Sequence, residues 1–226
     1  EKNESLRMLG MFTTGIAHEI RNPLTSVKGF VQLLGRKVQA VDGAPRMIHL
    51  VTREIDRLES LLKDLITYAR PSKTNFEWIQ VSELISIIEK LLVEKIKQRK
   101  LTWKVENLEN LEICADSRKV HQVIFNLVLN AIQSVKIGQG EVSVYGTFEG
   151  NYLWICVKDN GYGIASEDIG KIFTPFFTTK DKGTGLGLAI SRRMMEDMKG
   201  KIVFESSRTH GTVFKIGFED WKRTES

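Results

Sequence analysis

Three groups of residues in this 226-residue chain have types and spacings that could do chemistry. The first centres on His18, which stands four residues before Asn22 and seven before Thr25. At about 100° per residue along a helix, these three form one polar row. It lies opposite the apolar stripe of Leu9, Phe12, Ile16, Ile20, Leu24 and Val27. A neutral imidazole facing water is a nucleophile near neutral pH. The adjacent Glu19 can hydrogen-bond one ring nitrogen, orient the ring and accept its proton. A lone histidine on a solvated helix face is ordinarily incidental. Pro23 argues for more, because a proline inside a strongly patterned helix costs about 3 kcal/mol and kinks it.

The second group is Asn126 and Asn130, one turn apart on a predicted helix, with Leu127, Val128 and Leu129 between them. Two amides on a core helix must be satisfied. Either they pair with neighbouring N–H and C=O groups, or they face a hard cation and phosphate. Mg²⁺ takes oxygen ligands and lets nucleotide phosphates fill further positions.

The third group is a series of glycine turns. Asp159-Asn160-Gly161-Tyr162-Gly163-Ile164 follows a strand-like run, and Gly211-Thr212 precedes the last one. Gly183-Thr184-Gly185-Leu186-Gly187 opens a helix, with Lys180 and Lys182 just upstream. A carboxylate at a strand end can accept a hydrogen bond from an exocyclic amine such as that of adenine. The Thr212 hydroxyl could lie near a base edge. A glycine loop at a helix N-terminus is a ready phosphate site. Taken alone, the Asp159 segment reads as an ordinary turn, and Gly211-Thr212 reads also as a simple hairpin turn. No P-loop and no protein-kinase catalytic loop occurs. The alternating glycines lack the preceding strand and downstream acid of a dinucleotide fingerprint.

Two kinds of element must position these groups. Up to about residue 70 the apolar residues step by three and four, first through Val38, then through Ile48, Val51, Ile55, Leu58, Leu62, Leu65 and Ala69. Gly43 and Pro45 break the pattern and Pro71 ends it. The expectation is an antiparallel helical hairpin, residues 1–72. A lone hairpin cannot cover both stripes, so two copies are expected to form a dimeric four-helix bundle. A linker is expected from Pro71 to Glu77, then a second domain over 77–226. There, helices are predicted near Val81–Arg99, Arg118–Val135 and Leu186–Met198. Strands are predicted at Leu101–Val105, Leu111–Cys114, Val142–Phe148, Tyr152–Val157, Ile202–Glu205 and Val213–Gly217. Strand pairs adjacent in sequence predict a two-layer α/β sandwich with a mostly antiparallel sheet.

Apolar residues at 42% and charged residues at 27% suit a globular chain. The net charge of +5 is spread without a dense basic block, which argues against nucleic acid and suits a phosphorylated ligand or acidic partner. No apolar run approaches the roughly 18 residues of a membrane span. Cys114 and Cys156 lie in apolar strand-like runs and are expected to be reduced, buried thiols. The opening Glu-Lys-Asn-Glu reads as the middle of a helix, so a fragment of a longer protein is expected.

Ala17-His18-Glu19-Ile20-Arg21-Asn22-Pro23-Leu24-Thr25 closely resembles the phosphoacceptor box of bacterial sensor histidine kinases. The asparagine helix, the two glycine segments and Gly211-Thr212 resemble the N, G1, G2 and GT boxes of the Bergerat-type ATP-binding fold. Ile172-Phe173-Thr174-Pro175-Phe176-Phe177 is similar to the family's F box. The resemblance spans nearly the whole chain. It implies an ATP- and Mg²⁺-dependent autokinase that phosphorylates His18 and passes the group to a response-regulator aspartate. Glu19 would be the base, and Asn22 would position water in a phosphatase reaction. Asn130 would be the main Mg²⁺ ligand, with Asn126 close by. Asp159 would read adenine, with Gly161 and Gly163 shaping the base pocket. Lys180 would touch phosphate, and Gly183, Gly185 and Gly187 would let the lid close.

The implied partners are a second copy, a receiver domain and an inhibitory protein on the bundle, with no nucleic acid. Membrane attachment would come only through a segment outside this chain, which leaves this part cytoplasmic. A subfamily likeness to sporulation kinases accompanies this. Two positions depart from the wider fold. Gln122 stands near where hydrolytic members carry a water-activating Glu, which favours transfer over free hydrolysis. Ser207-Arg208-Thr209-His210 precedes Gly211 where a further glycine is usual. A Bergerat-type motor and a dimerising module with an inactive pocket are the rival readings. His49, His121 and His210 lie outside any motif and are expected on surfaces or helix faces. Glu19→Gln is expected to slow autophosphorylation, and an unchanged rate would remove Glu19 from the role of base.

Overall fold

The computed structural model describes residues 24–35, 44–69, 73–180, 183–207 and 210–224. These fall into two compact units, one within Glu1–Ser72 and Phe176–Leu186, the other within Lys73–Pro175 and Gly187–Ser226.

In the first unit, helix α1 covers 24–35 and α2 covers Ala44–Ala69. They run antiparallel. Lys28 Nζ lies 2.6 Å from Asp56 Oδ1 and 3.6 Å from Glu59 Oε2, while Gly35, farther along α1, sits against the earlier Ile48. Gly35 permits that approach, since a Cβ there would stand 3.2 Å from Ile48 Cδ1. Ile55 and Leu62, seven residues apart on α2, are buried in the seam. The other half of the apolar pattern stays outside it: Phe30, Leu33, Leu34, Met47, Leu50, Val51 and Leu58 are each more than 40% exposed.

The second unit comprises β1 (Glu77–Gln80), α3 (Val81–Arg99), β2 (Thr102–Glu106), β3 (Leu111–Ala115), α4 (Ser117–Ser134), β4 (Glu141–Glu149), β5 (Tyr152–Asp159), α5 (Gly187–Asp197), β6 (Lys201–Ser207), β7 (Gly211–Phe218) and β8 (Trp221–Arg223). Its main sheet has the order β2-β4-β5-β7-β6. Helix α4 packs against β4 and β5, with α3 and α5 beside it, so helices form one layer and the sheet the other. The core lies between them. Val120, Val123, Ile124, Leu127 and Val128 of α4 meet Val142, Val144, Ile155 and Val157 of the sheet, all at 0–1% exposure.

The helices and their ends follow from local chemistry. Val81, Leu84, Ile85, Ile88 and Leu92 give α3 its buried stripe, with Glu83 in the first turn and Lys97 and Arg99 in the last, each favourable to the helix dipole. Lys100 ends α3 in the left-handed conformation at φ 50°, its N–H donating to the Ile96 and Lys97 carbonyls. Asp116 caps α4, accepting hydrogen bonds from the Arg118 and Lys119 backbone N–H groups.

Sequence periodicity missed two features. The stretch ending at Glu77, read as linker, already begins β1, and Trp221–Arg223 forms β8. These short strands flank β3 in a separate antiparallel sheet, β1-β3-β8. The pairing of neighbours in sequence also fails at β2, which runs parallel to β4. Between β2 and β4 lie β3 and α4, ample chain for a crossover. Three- and four-residue strands are too short to show alternation. Among the described residues no helix is long and apolar enough to cross a membrane.

Cys114 is partly exposed and Cys156 fully buried, and both are free thiols. Burial pushes the Cys156 thiol up to about 11, outweighing the opposing pull of Lys215 and the Tyr145 hydroxyl. The folded thiol thus holds its proton more tightly than the unfolded one. That contribution to stability is present below the unfolded value and is lost as pH rises through about 11. Iodoacetamide near pH 8 is expected to modify Cys114 first and Cys156 only upon unfolding. Peptide mass spectrometry checks this, and rapid native modification of Cys156 would contradict it.

Candidate functional site

In the second unit, the C-terminal end of β5 is the point where the main sheet meets the end of α4. Asp159 is the last residue of β5 and is 4% exposed. One of its oxygens, Oδ1, accepts from the Gly161 N–H at 2.8 Å, which curls the chain into a tight turn. Gly161 is required by proximity. A Cβ there would lie 2.6 Å from the Ser134 carbonyl oxygen at the end of α4 and 2.7 Å from Asp159 Oδ1. Gly163 adopts φ +65°, a conformation that favours glycine. Across the sheet, Thr212 stands opposite Asp159 and is 5% exposed. Gly211 has φ +80°, and a Cβ on it would overlap the Asp159 carbonyl.

Ser206 ties this corner together, and no sequence signal marks it because it reads as one more polar strand residue. Its hydroxyl accepts from the Ile164 N–H at 2.9 Å and lies 2.9 Å from Thr212 Oγ1. The turn at Gly161–Ile164 is therefore fastened to β6 and β7. Asp159, Gly161, Gly163 and Thr212 are brought together at one end of the sheet, so a carboxylate and a hydroxyl share one buried corner.

Asn126 and Asn130 lie half-buried on α4, at the margin of its buried stripe. The Asn126 side-chain N–H₂ donates to the Gly187 carbonyl at 3.4 Å and to Ser191 Oγ at 3.5 Å. With its nitrogen committed to α5, the amide presents its oxygen on the other side of the fork. Gly187 starts α5 within van der Waals distance of the Asn126 amide. Among the described residues no group of three His, Cys, Asp or Glu side chains forms a metal cage. Two amide oxygens are hard donors that fit Mg²⁺ when a ligand's phosphates complete its shell.

The first unit holds Lys180, Gly183 and Gly185. Gly183 donates to the Lys180 carbonyl at 3.1 Å, and Lys180 N–H donates to Thr178 Oγ1 at 3.1 Å. Gly185, at φ +67°, passes so close to the Phe176 backbone that a Cβ would overlap it. Thr184 Oγ1 donates to Asp64 Oδ2 of α2 at 3.0 Å. Burial raises the Asp64 carboxyl above its ordinary value, against smaller opposite pulls from the Thr184 hydrogen bond and Lys63. Asp64 carried no signal in the sequence, where it is one acid among many on a solvated face. In the second unit, Phe173 packs edge-on to Phe204 and under Arg192. His49 and His210 are exposed and His121 is half-buried. His18, Glu19, Asn22 and Lys182 lie outside the described residues.

Known proteins divide the chain in a related way. Residues 8–73 match the family described as the His Kinase A (phospho-acceptor) domain, and residues 115–221 match the histidine kinase-, DNA gyrase B- and HSP90-like ATPases. The sensor histidine kinase ZraS of Escherichia coli (strain K12) is 35% identical over 96% of this chain and 46% of its own length. Sporulation kinase A of Bacillus subtilis (strain 168) is 35% identical over 96% of this chain and 36% of its own. The chain thus spans less than half of either relative. A crystal structure of the histidine kinase ThkA with the response regulator TrrA is 32% identical, with TM-score 0.71, over 96% of this chain and 64% of that one. The ThkA catalytic domain alone is 35% identical, with TM-score 0.58, over 64% of this chain and 95% of that domain.

Gly211→Ala must either move Asp159 or abandon its own backbone angle. It is expected to destabilise the second unit by about 1–3 kcal/mol, read as a lower urea midpoint. An unchanged midpoint would show that the corner accommodates a methyl group.

Proposed function

This chain belongs to the bacterial sensor histidine kinases, and from that premise we propose that it is an ATP-dependent autokinase which phosphorylates His18. The proposed division is a dimerisation and phosphotransfer domain over 1–72 and an ATP-binding domain over 77–226. The observation that carries the reading is the buried corner of Asp159, Gly161 and Thr212. It offers a carboxylate acceptor and a hydroxyl at a sheet end, as an adenine amine and ring edge require.

In this reading Asp159 accepts from the adenine amine. Gly161 and Gly163 leave room for the base, and Thr212 borders its edge. Asn130 is the main ligand that would hold Mg²⁺, with Asn126 close by, and the ion would neutralise charge on the phosphates. Lys180 and the backbone around Gly183, Gly185 and Gly187 hold the triphosphate tail. Glu19 orients His18 and takes its ring proton. An N–P bond forms to the γ-phosphorus as the bond to the bridging oxygen breaks, and ADP leaves. The phosphoryl group then passes to an aspartate of a receiver domain. Asn22 positions water for a separate phosphatase reaction, in which the phosphohistidine or the receiver's phosphoaspartate is hydrolysed and inorganic phosphate leaves.

Two copies are proposed to pair through the hairpin, since its exposed apolar row of Phe30, Leu33, Leu34, Leu50 and Leu58 resembles half of a bundle core. The likeness to ThkA, whose structure includes a response regulator, supports the receiver partner. The likeness to sporulation kinase A supports a role in sporulation. An inhibitory protein on the bundle and a cytoplasmic position, with anchoring through chain outside this sequence, complete the proposal.

Incubation with Mg²⁺ and γ-labelled ATP is expected to leave acid-labile, base-stable label on the protein, absent from His18→Ala and strongly reduced in Asn130→Ala. Free phosphate without labelled protein would instead identify a motor. Neither product would identify an inactive pocket.

A further inference from the structure

Lys119 is the one lysine among the described residues that is buried, its side chain 5% exposed. A lysine so placed needs partners that hold its charge in geometry. Nζ lies 2.8 Å from Asp197 Oδ2 and donates to Thr74 Oγ1 at 2.9 Å. Thr74 Oγ1 in turn donates to the Asp197 carbonyl at 3.4 Å. One residue on, the Asn75 backbone N–H donates at 2.9 Å to Asp116 Oδ2, whose other oxygen caps α4.

Three segments distant in sequence therefore meet at one ammonium group: Thr74, the first turn of α4 and the last residue of α5. The placement is selective. Residues 74–75 are the first stretch of the second unit after the chain leaves the hairpin. Helix α4 carries Asn126 and Asn130. Helix α5 follows directly from the Gly183–Gly187 segment. The α5 C-terminus also has negative dipole character, which favours a cation there. A stabilising apolar residue could hold α4 to α5, but only a long cation reaches both the Asp197 carboxylate and the Thr74 hydroxyl.

We infer that Lys119 is a positioning residue, which anchors the tether between the two units to the helix bearing the asparagines and the helix following the glycine segment. It thereby holds residues 74–75, at the start of the second unit, to the end of α5. The inference rests on the autokinase reading and deepens it: nucleotide binding belongs to residues that Lys119 does not touch, whereas delivery of the γ-phosphate to His18 depends on the tether.

The whole chain provides the test. Lys119→Met keeps the stem and removes the charge. It is expected to bind an ATP analogue with Mg²⁺ within about twofold of the parent. At saturating ATP it is expected to label at about one tenth of the parent rate. Lys119→Arg restores the rate. Thr74→Val leaves the ion pair in place and removes only the tether contact, so an intermediate loss of about threefold is expected. Thermal melting shows whether Lys119→Met is folded at the assay temperature; if it is not, Thr74→Val decides. Parent-like labelling in the deciding variant, or affinity lost by the same factor as rate, overturns the inference.

Hydrogen exchange at the Asn75 amide separates this result from the fate of the autokinase reading. Exchange should be about tenfold faster in Lys119→Met whether or not the protein becomes labelled. Unchanged exchange overturns the anchor, whereas an unlabelled parent protein overturns the autokinase reading alone.

Discussion

Helix α4 is the constraint on which the second unit depends, because it must be buried and polar at once. Val120, Val123, Ile124, Leu127 and Val128 are wholly removed from water, which ties the helix to the sheet. Burying each such side chain contributes about 1.5–3 kcal/mol. Asn126 and Asn130 stand beside that stripe instead of within it, so their amides border the interior without being sealed in it. A rotation of about one residue would bury two amides and expose two aliphatic side chains. The stripe thus determines where the asparagines face. Asp116 and Lys119 hold the first turn in place, and Ser134 closes the last turn against Gly161.

Glycine sets the other side of the corner. At Gly161 and Gly211 the backbone comes so near to Ser134 and Asp159 that no side chain fits. The two positions differ in kind: Gly211 also needs a positive φ, whereas Gly161 needs only the space. Their shared effect is to press the turn after β5 onto both α4 and β7. The carboxylate of Asp159 is then fixed by its own turn and by a neighbouring strand.

The hairpin presents the opposite situation. Its two helices satisfy each other only in part, with Ile55 and Leu62 inside and a row of large apolar residues outside. Its ion pairs, Lys28 with Asp56 and Glu59, are partly solvated and contribute register more than stability. The apolar row is the larger unmet demand. A second copy of the hairpin would meet it, in keeping with the phospho-acceptor domain family matched by residues 8–73.

Residue pattern alone determined the helices and most strands, since α3, α4 and α5 carry 3.6-residue stripes and β4, β5 and β7 carry runs long enough to register. It also determined which residues were chemically unusual, because histidine, paired asparagines and spaced glycines stand out against an apolar background. Tertiary structure alone decided that β2 runs parallel to β4, and that Glu77–Gln80 and Trp221–Arg223 are strands, because pairing over long separations leaves no local periodicity. It alone decided that Ser206 meets Thr212, that Thr184 meets Asp64, and that Lys119 gathers Thr74 and Asp197. Such contacts join residues that are individually ordinary. A serine or lysine acquires a role only when the fold removes its water and supplies a partner, and one-dimensional spacing does not encode that exchange.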